Sequence, residues 1–458
     1  MPNLLDFMER ATSGPVLSED TFNIDVLIPS VRRFVKEYEI RYDPESPVSS
    51  DDDLADRLFE AAIEFVVETG VYCDATNRVI KLDRREISEA VDNLPQGSFF
   101  GQGQDRRMYT PRKPDDDDPP WCQAGSGIVA SSEEVAMAQV EGYGSIPQVR
   151  SVCVPALNSV RGMPVTGGSP LEIYATIASV QAARRALRRC GRPGLPIMNL
   201  IASATTAVGT IAGTFPAFGL RPSDAWLIDI LAEMKVNFET LNRLAFIQGI
   251  GGNVGSTALP ILGGYGGGPE GTALLMTAYY LLGILLFKGA YHMTCPIHFR
   301  HGCSTTRDSL WVFSVAGRAA SRNTRYTDLA LAYAMAGPCT RMYFYEAAAM
   351  NLCCVVSGYG GVQTVLPARG TRDDRITPME ARFNVEMACA ATGMKAQAAN
   401  VLVNRLLEKY EGRTGEAPDG RRYQNCYDLR TRKPSEEYIR LYDEVKEELV
   451  RMGVGFKS

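Results

Sequence analysis

Gly191-Arg192-Pro193-Gly194-Leu195-Pro196-Ile197-Met198-Asn199-Leu200-Ile201-Ala202 is a Gly/Pro turn that feeds a short apolar run ending in small residues. Such a run reads as a buried strand whose far end opens into a loop. In a parallel barrel the C-terminal ends of the strands face the active-site mouth, which would bring Met198 and Asn199 close to the chemistry.

The fold therefore turns on whether such strands recur, and from Trp121 onward they do. Short apolar stretches near 126–130, 151–155, 196–201, 243–247, 258–263, 291–295, 328–334 and 353–359 alternate with longer helical ones. Eight such units in the βα rhythm predict an α/β protein built on a TIM (β/α)8 barrel. Helices are expected from Pro170 to Arg189, with Ser169 as its cap and four arginines at its C-terminal end, and from Glu270, Arg307, Thr340 and Met379.

Ahead of the barrel, the apolar spacing after Asp51-Asp52-Asp53 predicts an amphipathic helix, followed by a hairpin formed by Val71–Cys73 and Arg78–Leu82 and a helix from Asp83. Asp115-Asp116-Asp117-Asp118-Pro119-Pro120 reads as a solvated loop. Residues 1–120 are expected to form an N-terminal helical extension, 121–412 the barrel, and 413–458 a C-terminal helical tail packed on its outside.

Composition removes several classes of function. With 48 basic against 53 acidic residues and a net charge of -5, no basic stripe offers itself to nucleic acid. The most apolar stretch, Ala273 to Phe287, is shorter than the roughly 20 residues of a membrane span and reads as a buried barrel helix. No signal-peptide pattern opens the chain. Eleven scattered cysteines without CxxC spacing point to a reducing, cytoplasmic setting.

Several motifs stand in a fixed order: Gly70–Cys73, Ser159-Val160-Arg161-Gly162, the Arg-Pro-Gly turn at 192–194, Pro260-Ile261-Leu262-Gly263-Gly264-Tyr265, Pro296–Arg300 and Ala336–Thr340. In these the chain resembles the monomethylamine methyltransferases of methanogens, corrinoid-dependent enzymes whose reactive residue is pyrrolysine. In that family the pyrrolysine follows the Arg-Pro-Gly turn by four residues, and here the fourth residue after Gly194 is Met198. Methionine has no electrophilic imine, so covalent amine capture does not transfer to this chain. The resemblance places the two glutamates, the glutamine and the tyrosine that surround the pyrrolysine on Leu227, Thr257, Leu331 and Tyr333.

The loss of those polar groups has a chemical meaning. A quaternary ammonium already carries a neutral leaving group and needs only an apolar or aromatic pocket to hold its cation. Met198 and Tyr333 are the candidate catalytic residues; Trp226, Leu227, Thr257, Tyr265, Leu331, Tyr359 and Asn199 are the candidate substrate-binding residues. Tyr265 lies in the Gly-rich stretch 263–268, whose spacing fits neither a Walker nor a Rossmann motif and which serves either as a tight turn or as a loop lining the cavity. Arg161, Arg300 and Arg307 could hold a substrate carboxylate or pair with barrel glutamates.

The resemblance implies transfer of methyl from a methylated amine to Co(I) of a corrinoid held by a partner protein. It also implies a homo-oligomer, a hexamer by analogy, with no tightly bound cofactor of its own. Two alternatives stay open. All three histidines lie within ten residues beside two cysteines, and His292, Cys295, His298, His301 and Cys303 are candidate zinc ligands for a thiol, thioether or methoxy donor. The other alternative is a catalytically silent paralogue that binds the amine without transferring methyl.

Overall fold

The computed structural model describes residues 2–199 and 203–456, without the side chain of Asn199. Eight parallel strands form its core: β1 (Trp121–Gly125), β2 (Ser151–Cys153), β3 (Met198–Asn199), β4 (Ala225–Asp229), β5 (Asn253–Ala258), β6 (Tyr291–Thr294), β7 (Asp328–Ala330) and β8 (Gly361–Gln363). They run in the order β3-β4-β5-β6-β7-β8-β1-β2. A parallel bridge from Val152 to Ile197, with the Val152 amide donating to the Pro196 carbonyl at 3.0 Å, closes the ring between β2 and β3. Each strand is followed by one helix: α1 (Glu133–Gly144), α2 (Pro170–Arg189), α3 (Ala207–Gly213), α4 (Phe238–Gly249), α5 (Pro269–Leu285), α6 (Arg307–Asn323), α7 (Arg341–Val356) and α8 (Pro378–Ala391). This is the (β/α)8 arrangement that the alternation of apolar runs predicts.

Individual strands differ from expectation. The run 243–247 lies inside α4, whose start is fixed by Asn237 accepting from the Thr240 amide, and 353–359 covers the end of α7 and the turn after it. Both are short apolar runs of the kind that period alone does not separate into strand and buried helix. The true fourth and eighth strands are Ala225–Asp229 and Gly361–Gln363. The first strand precedes 126–130, and the fifth is Asn253–Ala258 rather than 258–263, where beyond Ala258 only Ile261–Leu262 pairs among the described residues, with Ile297–His298. The end of the expected strand 196–201 lies outside the described residues. Ser169 precedes α2, but its hydroxyl donates to the Thr166 carbonyl and caps nothing in the helix.

The N-terminal elements bear on the barrel in two ways. The helix Asp52–Thr69, held at its start by Asp51, packs across α5 and α6. Cover on the outside as well as the barrel side explains why α5 is apolar around its whole circumference. Among the described residues no helix is long and apolar enough to cross a membrane. The hairpin of Ser98–Phe100 with Arg107–Tyr109 inserts Phe100 and Tyr109 into the barrel base, where Tyr109 stacks on Trp121 at 4.7 Å and donates to the Asp328 carbonyl at 2.7 Å. An aromatic plug therefore shuts one end of the barrel and leaves chemistry to the other.

Buried carboxyl groups set a pH dependence of stability. Glu380 is fully buried, and its Oε2 accepts from the Thr377 amide and hydroxyl at 2.7 and 2.6 Å. Burial pushes this carboxyl up to about 7, and the same cause raises Glu233, Asp328 and Glu346 to about 7. A folded-state pKa above the unfolded one means that the folded protein holds the extra proton between roughly pH 4.5 and 7. The contribution of these groups to stability is then largest below that window and falls as pH rises through it, by about 3 kcal/mol for a group raised this far. Glu380→Gln should shrink the difference in unfolding free energy between pH 5 and pH 8 by an amount of that order. An unchanged difference by denaturant titration would locate the pH dependence elsewhere.

Candidate functional site

At the C-terminal end of the barrel lies a chamber of about 210 Å³. At about 30 Å³ per water it has room for roughly seven waters, and so for a compact molecule of about as many heavy atoms. Its floor and walls come from alternate residues of successive strands, since side chains on one face recur every second position. On β4 this brings Leu227 and Asp229 inward and turns Trp226 and Ile228 outward. Thr257 and Leu259 follow from β5, Met293 from β6, Leu331 and Tyr333 from β7, and Gln363 from β8. Gly127, Ile128, Cys153, Leu366 and Gly370 complete the lining.

The four positions reached by resemblance, Leu227, Thr257, Leu331 and Tyr333, thus meet in one cavity. The other predicted site residues do not line it. Met198 is fully buried among the apolar side chains filling the barrel, in register with Ala225 and therefore two residues nearer the base than Leu227. Trp226 points to the helical layer, donating to the Thr214 hydroxyl at 2.7 Å with its ring 6.4 Å from Phe246. Tyr359, fully buried, donates to the Phe313 carbonyl between the barrel and α6. Tyr265 stands 45% exposed with the Lys235 ammonium 5.8 Å from its ring. The side chain of Asn199 lies outside the described residues.

The chamber holds one group that the sequence reading did not anticipate, the carboxylate of Asp229. Among the described residues nothing donates a hydrogen bond to it and no cation pairs with it. Burial pushes its pKa above the ordinary aspartate value, with the charge of Arg243 on α4 pulling the other way. Burial also raises the Tyr333 hydroxyl, and the neighbouring Cys295 and Asp229 charges add to that effect. The remaining polar atoms are mostly engaged. The Thr257 hydroxyl donates to the Met293 carbonyl at 3.0 Å, while the Gln363 amide donates to the Gly125 carbonyl at 3.1 Å and accepts from Gln123 at 3.2 Å. Among the described residues no lysine, arginine or histidine lines the cavity.

The histidine and cysteine cluster is dispersed. His292 faces the helical layer, with Nδ1 2.8 Å from the Ser256 hydroxyl, and burial holds its pKa down to about 3. Cys295 points into the barrel beside Ser304 at 3.2 Å, and burial pushes its thiol up. His298 and His301 sit together in the following loop, their rings 4.5 Å apart, with His298 Nε2 3.6 Å from Asp308. Cys303 is buried, its thiol pushed up to about 12. Among the described residues no three His, Cys, Asp or Glu side chains are arranged to hold a metal ion. The three arginines considered for a substrate carboxylate are also elsewhere: Arg161 and Arg300 are exposed, and Arg307 pairs with Glu411 at 3.0 Å.

Strand β3 is anchored by a buried ion pair. Arg184 of α2 pairs with Asp224, donates to the Leu195 carbonyl at 3.0 Å and to the Gly219 carbonyl at 2.9 Å, while Asp224 Oδ1 accepts from the Ile197 amide at 2.9 Å. This joins the end of α2, the start of β3 and the start of β4 in one network, and removing one partner of such a pair typically costs 3–5 kcal/mol.

Comparison with known proteins bears on this site. The family model for the monomethylamine methyltransferase MtmB matches residues 3–454. MtmB of Methanosarcina mazei is 31% identical over 454 residues, and MtmB1 of Methanosarcina barkeri 30% over the same length; each alignment covers 98% of both chains. The crystal structure of Methanosarcina barkeri MtmB superposes with a TM-score of 0.95 at 29% identity, covering 99% of this chain and 98% of that one. A second crystal structure, the hydroxylamine complex of MtmB, superposes equally well.

Proposed function

The chain belongs to the monomethylamine methyltransferase MtmB family and is a methyltransferase, and from that premise we propose that it moves methyl from a methylated amine to Co(I) of a corrinoid carried by a partner protein, without forming a covalent adduct with the amine. The observation that carries this reading is the makeup of the chamber, in which Leu227 and Leu331 stand where the resemblance implies polar amine-activating groups; Met198, at the position it assigns to pyrrolysine, is buried in the barrel beneath and presents no reactive group to it. Such a cavity supports aiming the donor rather than activating it.

In the transfer, the N–CH3 bond breaks with both electrons remaining on nitrogen, which leaves as a neutral amine. The methyl group bonds to cobalt, whose Co(I) state supplies both electrons of the new bond and becomes Co(III). The protein contributes orientation and a dry wall of leucine and methionine side chains. A donor that is already quaternary suits this division of labour. The setting is the cytosol, and the active form a homo-oligomer, with the hexamer of the resembling enzymes as the expected state.

Mixing the protein with a Co(I) corrinoid protein and a panel of mono- to tetra-substituted methylamines tests the proposal. Growth of methyl-Co(III) absorbance with a quaternary member is the expected result. Absence of transfer from every donor, with binding retained, would favour the catalytically silent alternative.

A further inference from the structure

We propose that Asp229 is the counter-charge that makes the chamber select a methylated ammonium ion of net charge +1 lacking a carboxylate of its own. The inference rests on the methyl-transfer reading for its biological meaning but on the geometry of the chamber for its substance. Asp229 is the last residue of β4, on the same inward face as Leu227 and two positions nearer the mouth. Its carboxylate has no hydrogen-bond or ion-pair partner among the described residues. Around it stand Leu227, Leu259, Met293, Leu331 and Leu366.

A ligand filling this space strips water from the carboxylate, and burial of an unpaired charge is costly unless the ligand brings the opposite one. A methylated ammonium does so: its charge pairs with Asp229 and its methyl groups meet the apolar wall. A betaine brings a carboxylate as well, for which no cationic side chain lines the chamber among the described residues. Arg243 acts on Asp229 from α4, but its Nη2 donates at 2.6 Å to the Thr205 carbonyl and it is not part of the lining. A neutral molecule of the same shape leaves the carboxylate desolvated and unmatched. The other titratable groups facing Asp229 are the Tyr333 hydroxyl and the Cys153 thiol.

Calorimetric binding to the full chain, without corrinoid, tests this with three probes, tetramethylammonium, neutral tert-butanol of the same size and the larger glycine betaine, the last controlled for size by the isosteric isobutyltrimethylammonium cation, which should bind more tightly than betaine. Tetramethylammonium should bind at least about tenfold more tightly than either tert-butanol or betaine, the cost of leaving a buried charge unmatched. Its charge does not change with pH, so its affinity should fall as pH is lowered through the titration of Asp229, which burial places above the ordinary aspartate value. Asp229→Asn should weaken tetramethylammonium by at least about tenfold and abolish that pH dependence, and Asp229→Glu should keep the preference for the cation.

Equal binding of betaine and tetramethylammonium, or full affinity in Asp229→Asn with an unchanged melting temperature, would overturn the assignment. Selective binding without methyl transfer would leave the assignment standing and sink the methyltransferase reading. Transfer by Asp229→Asn at an unchanged KM would do the reverse. Because the ammonium charge is spent as the N–CH3 bond breaks, the ion pair belongs to the bound ground state more than to the transition state, and its loss should raise KM while leaving kcat unchanged or higher.

Discussion

Leu331→Lys should lower tetramethylammonium affinity, and with it methyl transfer at limiting substrate, by at least about a hundredfold, because two like charges about 4 Å apart repel by about 4 kcal/mol at an effective dielectric constant of 20. Leu331 is 4% exposed and lines the chamber from the end of β7, so a side chain extended from it occupies the cavity. Its ammonium would reach for the open carboxylate of Asp229 and satisfy it from within. Satisfying that charge also limits the cost of burying the lysine, and thermal unfolding should shift by only a few degrees.

Leu331→Met separates charge from shape, since a volume-conserving swap in an apolar wall is well tolerated. Its affinity should stay within about threefold of the parent, the scale of a small packing change. A hundredfold loss in Leu331→Met would assign the effect to shape, and full affinity in Leu331→Lys would show that no cation is held beside Asp229.

The sequence around Asp229 carries no mark of a strand end. Ala225–Asp229 follows Pro222-Ser223-Asp224 and runs on into Ile230-Leu231, so no turn residue marks its end, whereas the helical run at 243–247 has the same apolar look. Without a strand over 225–229, Leu227 is reached only through the resemblance, beyond the reach of the every-second-residue rule. That rule would have placed Asp229 in the chamber and turned Trp226 out of it. Tyr359 leaves the expected site for the same reason, since 353–359 covers the end of a helix buried on all sides. Helices announced by polar residues at their starts, such as those after Asp51 and Asp83, were legible because the cap is a local interaction. The number of strands is legible although four of their positions differ, because the βα rhythm is set by the whole chain and each strand only by its contacts.

In the His292–Cys303 segment, residues close in sequence are parted by the strand that carries them. A strand turns successive side chains to opposite sides, and β6 sends His292 to the helices while Met293 goes to the chamber. Cys295, on the barrel side, bonds to Ser304 rather than to any histidine. Sequence proximity on a strand therefore argued against a shared metal, and only the loop pair His298 and His301 stayed together.

The largest effect on stability is expected at a position no functional motif touches. Gly317 lies in the middle of α6, where glycine costs about 1 kcal/mol relative to alanine, so its presence calls for a packing reason. A Cβ built there would come within 2.1 Å of Tyr359 Cε2 and within 2.9 Å of two more atoms of that ring. The ring cannot retreat easily, because Tyr359 is fully buried and its hydroxyl is tied to the Phe313 carbonyl at 3.2 Å. Gly317→Ala should therefore destabilise the fold by at least about 3 kcal/mol despite its better helix propensity, at the upper end of overpacking costs. Chemical denaturation reads this directly. Gly249→Ala, at the exposed end of α4 with nothing within 4 Å, should be neutral or slightly stabilising. Tyr359→Ala removes the obstacle, so the two core changes together should be less damaging than the sum of each alone by at least about 2 kcal/mol, within the coupling range of residues in contact. Strict additivity in that double-mutant cycle would mean that α6 meets the barrel through some contact other than the one between Gly317 and Tyr359.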